Sequence, residues 1–271
     1  MTETERQTPD PRAIGVFDSG VGGLTVLHEC LVGLPHENYI YLGDAANFPY
    51  GPKPLAEVRR LAFWAVDLLV KKGVKLIIIA CNSAAAAALP QLQAAFGTPI
   101  IGVVMPGARG AVQETRNRRV GIMATEATIR SNAYQQALQA LDAGLEVFPV
   151  PCPRLAPLIQ AGDVFSEDTE NAAREYTAAL KDAAVDTVIL GCTHYPLITP
   201  MLRRLLGSRV ALINSAEETM REVTEILDRK GMANSVSREG DYQFLSTGDV
   251  EEFRAVGGRF LQLPIREVTQ V

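Results

Sequence analysis

Two apolar runs, each closed by a thiol, leave this chain few architectures. Leu76-Ile77-Ile78-Ile79-Ala80 stops at Cys81-Asn82-Ser83, and Val188-Ile189-Leu190-Gly191 stops at Cys192-Thr193-His194. Runs that are apolar at consecutive rather than alternate positions suit strands covered on both faces, the habit of parallel sheets. The two stretches lie about 110 residues apart, which predicts two similar halves with a sulfur at a strand end in each. If the halves face each other, the two sulfurs bracket one cleft.

The remaining pattern agrees. Strands are expected at residues 13–17, 39–42, 98–104, 119–123, 145–150, 210–213, 242–245 and 259–263, with amphipathic helices between most of them. Arg119-Val120-Gly121-Ile122-Met123, followed by a polar turn, echoes the first strand and its turn about 105 residues on. Alternating strands and helices give the α/β class: two similar domains with mainly parallel sheets flanked by helices. Met105-Pro106-Gly107 reads as the break between them. Ligands of such folds bind outside the carboxyl ends of the strands. Asp18, Ser19, Tyr50, Gly51, Cys81, Asn82, Cys192, Thr193 and His194 all fall there.

Several classes are disfavoured. With 26 basic against 31 acidic residues the net charge is −5, so there is no electrostatic footprint for nucleic acid. No apolar run is long enough to span a bilayer, and residues 1–12 are polar, a flexible tail rather than a secretory signal. A cytoplasmic protein is expected. The cysteines Cys30, Cys81, Cys152 and Cys192 form no CxxC pair, which argues against structural zinc. Cys30 and Cys152 read as packing residues. The glycines of Asp18-Ser19-Gly20-Val21-Gly22-Gly23 miss the dinucleotide spacing, because Thr25 stands where the third glycine belongs. The chain has six lysines, and none follows a strand as the thiols do, so a pyridoxal Schiff base finds no candidate.

Two opposed thiols without metal or cofactor suit removal of a proton from one face of a carbon and its return to the other. Cys81 stands just before a helix, where thiol pKa values are expected to fall. Asp18 and His194 are placed to serve one thiol each, and hydroxyl, amide and backbone N–H groups would hold a carboxylate. The class reached from the residues is a cofactor-independent racemase or epimerase. A binding protein without catalysis is the alternative from another class.

Asp18-Ser19-Gly20-Val21-Gly22-Gly23, Pro49-Tyr50-Gly51, Cys81-Asn82-Ser83 and Gly191-Cys192-Thr193-His194-Tyr195-Pro196 together resemble the signatures of the glutamate racemase family, over residues 13–265. The resemblance implies cofactor-independent interconversion of L- and D-glutamate, supplying D-glutamate for peptidoglycan, commonly by a homodimer. It implies Cys81 and Cys192 as acid/base thiols assisted by Asp18 and His194. Substrate contacts would come from Asp18, Ser19, Pro49, Tyr50, Gly51, Asn82, Ser83, Thr128, Thr193 and His194. It also implies a first domain of residues 13–103 with 214–265, and a second of 104–213. Other members of the superfamily act on aspartate, a hydantoin or a malonate, and spacing does not separate these side-chain specificities. Two departures stand out. Gln160 occupies a position usually held by glutamate, and a neutral amide cannot stabilise an imidazolium as a carboxylate would, which bears on His194 and on the rates in the two directions. Ser83 replaces a common threonine and keeps its hydroxyl.

Overall fold

The computed structural model describes residues 9–162, 164–234 and 238–271. The first eight residues of the expected flexible tail lie outside that range. In chain order the elements begin β1 (Ile14–Asp18), α1 (Leu24–Gly33), β2 (Tyr39–Gly43), α2 (Leu55–Lys71), β3 (Leu76–Ile79), α3 (Asn82–Ala95), β4 (Ile100–Gly102) and α4 (Val104–Glu114). Next come β5 (Arg119–Ala124), α5 (Glu126–Arg130), α6 (Ala133–Leu141), β6 (Glu146–Pro151), α7 (Leu155–Gln160), α8 (Glu167–Asp182), β7 (Thr187–Gly191), α9 (Thr199–Leu206) and β8 (Ala211–Ile213). The chain closes with α10 (Ser215–Lys230), β9 (Tyr242–Ser246), α11 (Val250–Leu261) and β10 (Thr269–Gln270).

Two parallel sheets result. The first has the order β10-β9-β2-β1-β3-β4, the second β6-β5-β7-β8. The order β2-β1-β3-β4 in one is matched by β6-β5-β7-β8 in the other, so β3 and β7, the strands that lead to the thiols, hold the same place. In each sheet the chain turns to opposite sides after β1 and after β5. Such a switch opens a crevice at the carboxyl ends of the central strands. Both apolar runs are buried on every residue, as strands covered by helices require.

Met105-Pro106-Gly107 lies in the first turn of α4, between β4 of the first sheet and β5 of the second, and proline fits there because no intrahelical partner for its missing N–H exists. One expected strand is a helix. Residues 259–263 are the end and exit of α11, not a strand. Phe253, Phe260 and Leu261 face the core at helical spacing, and Asp249 caps the start by accepting from Glu252 N at 2.7 Å. The tail past Pro264, without signal in the sequence, contributes β10 to the first sheet. Among the described residues no helix is long and apolar enough to cross a membrane.

Candidate active site

Residues following β1, β2, β3, β5 and β7 line one cavity of about 20 Å³. Both Cys81 and Cys192 open onto it, one from each sheet, with Ser19, Pro49, Tyr50, Gly51, Asn82, Ser83, Thr193 and His194. Asp18 and Thr128 do not line it and stand one layer behind. A larger polar hollow of about 770 Å³ runs along β8 and the start of α10 and contains none of the expected site residues. Chemistry therefore points to the smaller space.

Cys81 sits at the N-terminus of α3. Its sulfur receives the N–H groups of Ala84 and Ser19, and its S–H reaches Ser19 Oγ at 3.5 Å. These donors favour thiolate, but burial and the nearby Asp18 carboxylate outweigh them and push the thiol up to about 12. The lowered value expected from the helix terminus is thus reversed by desolvation. Burial likewise raises Cys192, despite the His194 N–H donated to it. The Asp18 carboxyl, fully enclosed, is pushed up to about 6 by burial. It accepts from Gly20 N at 3.0 Å and Thr193 Oγ1 at 3.2 Å, so it ties the first half to the second and does not cap α1.

His194 lies between Phe48 and Phe260, with ring centroids 5.5 Å and 5.1 Å away. Burial there pulls it down to about 3, so the ring is neutral near pH 7. Its Nε2 is 2.9 Å from Gln160 Oε1, and its Nδ1 is 3.8 Å from Cys192 Sγ. An amide oxygen only accepts, so Nε2 carries the proton and Nδ1 turns a lone pair to the thiol.

The glycines of the first turn serve the seam between the halves. A Cβ on Gly22 would stand 2.4 Å from Thr193 Oγ1 and 2.5 Å from the His194 ring. Close approach of backbone to a neighbour is what glycine allows. Elsewhere along the seam, Ser83 Oγ meets Thr125 Oγ1 at 2.7 Å, and Thr128 backs both hydroxyls. Ala127 N donates to Gly51 O at 2.9 Å, and Arg130 Nη2 donates to Gly51 O and Lys53 O. The Tyr50 hydroxyl turns away to Asp44 at 2.6 Å.

The cavity holds about one water molecule, so any amino-acid substrate requires the halves to part along this seam. No lysine or arginine lines it. Among the described residues no three His, Cys, Asp or Glu side chains converge as metal ligands. Phe48, Thr125 and Ala156 also line the cavity and were not anticipated. Thr125 was within reach of the sequence, since it follows β5 as Ser19 follows β1.

The family model for Asp/Glu/Hydantoin racemase matches residues 19–223. The chain belongs to this racemase family. Within it, the chain is 46% identical over 257 residues to the glutamate racemase of a Parafrankia species, covering 94% of this chain and 93% of that one. The crystal structure of a glutamate racemase from Bacillus anthracis superposes with TM-score 0.92 at 40% identity, covering 96% of this chain and 97% of that one. The glutamate racemase of Francisella tularensis, solved in complex with D-glutamate, superposes with TM-score 0.91 at 35% identity, covering 97% and 98%.

Proposed function

We propose that this racemase interconverts L- and D-glutamate without a cofactor, using Cys81 and Cys192 as the opposed acid and base. The observation that carries the reading is the placement of two thiols, from equivalent strands of two sheets, on one cavity. One sulfur, as thiolate, takes the α-proton, and the other, as thiol, returns a proton to the opposite face. Burial raises both thiols, so one must lose its proton for the reaction to start. The substrate α-ammonium supplies a positive charge in a site that has none of its own, which favours thiolate. Neutral His194 offers Nδ1 to the Cys192 proton. Asp18 holds Gly20 and Thr193 in place and stands beside Cys81 as its carboxylate partner.

Carboxylates of the substrate are met by neutral donors: the α3 N-terminus, Asn82, and the hydroxyls of Ser19, Ser83, Thr125 and Thr193. Thr128 holds two of these hydroxyls. The working lobes in this reading are residues 13–103 with 214–265, and 104–213. We place the activity in the cytoplasm, as a homodimer that supplies D-glutamate to peptidoglycan. Circular dichroism of L-glutamate with purified, dialysed protein tests the reading. Decay of the signal to zero is expected, and a constant signal, with aspartate racemised instead, would reassign the substrate.

A further inference from the structure

Asn82 follows Cys81 directly and lines the cavity. Its Oδ1 accepts a hydrogen bond of 2.6 Å from the hydroxyl of Tyr134, on α6 of the other half. The same hydroxyl lies 3.2 Å from Ser215 Oγ, at the first position of α10. Tyr134 gives its one proton to Asn82, so Ser215 donates to Tyr134. All three side chains are buried, at 5%, 1% and 4% exposure in the order Asn82, Tyr134 and Ser215. Close approach is secured from behind, where a Cβ on Gly107 would lie 2.3 Å from Ser215 Oγ. Among the described residues no protein group accepts from Asn82 Nδ2, which leaves its two N–H bonds for the cavity.

From this geometry we infer that Tyr134 is a positioning residue for substrate, fixing the Asn82 amide so that its NH₂ group faces a substrate carboxylate. An amide is nearly symmetrical in shape, and only a partner on one side decides which end is presented. The cavity has no cationic side chain, so the end presented matters. The NH₂ group attracts a carboxylate, whereas a reversed amide would set carbonyl oxygen against it. Burial holds the Tyr134 hydroxyl protonated, which keeps it a donor. The chain Ser215–Tyr134–Asn82 also spans α10, α6 and α3, so the amide is fixed only when these three helices are together.

This inference rests on the racemase reading, and wild-type racemisation of glutamate is the control that tests that reading separately. Tyr134→Phe is expected to raise KM for both enantiomers about tenfold, the worth of one ordinary hydrogen bond, with a smaller change in kcat. Asn82→Ala raises KM by itself, and adding Tyr134→Phe to it should raise KM no further, because the tyrosine acts through the amide. A purely structural hydroxyl would lower the unfolding midpoint equally in both backgrounds and leave KM of the folded enzyme unmoved. Unchanged KM in Tyr134→Phe, or the same KM rise in the Asn82→Ala background, overturns the inference. If Tyr134→Phe does not fold, Ser215→Ala loosens the same hydroxyl. It should raise KM less, again only where Asn82 is present, and an unchanged KM there also overturns the assignment.

Discussion

Gln160→Glu tests the link from Gln160 through His194 to Cys192. In the wild type, burial holds the imidazole down at about 3 against its ordinary 6.5, a cost of about 5 kcal/mol for imidazolium. The partner of its Nε2 is an amide oxygen at 2.9 Å, which bears no net charge. A carboxylate there, about 4 Å from the imidazolium charge, would return about 4 kcal/mol at the effective dielectric suited to protein sites. If half survives desolvation of the new carboxylate, about 2 kcal/mol remains. That raises His194 toward the neutral range and eases proton transfer from Cys192 by about thirtyfold. Two readouts follow. By NMR, His194 should titrate between about pH 4 and 6 in the variant and stay neutral down to about pH 4 in the wild type. By circular dichroism, kcat/KM should rise, and by the same factor from either enantiomer, because L- and D-glutamate have equal free energy. Any directional asymmetry introduced by Gln160 must therefore appear in kcat and KM taken separately. A variant in which His194 titrates higher while kcat/KM and both kcat values stay at wild-type levels would refute a proton path through His194.

Other outcomes test neighbouring parts of the site. Cys81→Ala and Cys192→Ala should each lower racemisation by about a thousandfold or more, and retention of near-normal turnover by either removes that sulfur from the mechanism. In deuterium oxide, proton NMR should still show slow loss of the α-hydrogen from only one enantiomer in each variant, a different one for each, and exchange from both enantiomers in one variant would contradict opposed faces. Arg130→Ala removes the bonds to Gly51 O and Lys53 O that hold the halves together, and KM should rise about fivefold for a partly exposed pair of hydrogen bonds; an unchanged KM would show that closure does not use them. For Asp18, the raised folded pKa of about 6, against 3.8, means its stabilising contribution is complete below pH 3.8 and is lost as pH rises through about 6. Asp18→Asn lacks that loss, so urea unfolding should show the variant gaining about 2.4 kcal/mol on the wild type between pH 4 and 7, and parallel pH profiles would reject the buried, raised carboxyl.

Much of this protein was legible in the sequence because local physics decided it. Consecutive apolar residues gave the central strands, helical spacing gave most helices, and two thiols at equivalent strand ends pointed to the cavity that both of them line. Where local signals were mixed, the reading failed. Residues 259–263 look strand-like alone, yet Arg259, Phe260 and Leu261 end α11 because Phe253 and Phe260 need one common face to bury. Thr125 was missed although it follows β5 as Ser19 follows β1, because its turn lacks the glycines that drew attention to the first.

Folding decided the rest, since it depends on what approaches from far along the chain. Gly22 is glycine because Thr193 and His194 arrive from the other half, not because a phosphate must be cradled. The sign of the Cys81 shift was likewise set by tertiary packing: the helix N-terminus is a local feature and pulls down, whereas enclosure by both halves pulls up and wins. Side-chain type and periodicity belong to the sequence; desolvation, and the partner that turns an amide one way, exist only once the two sheets have come together.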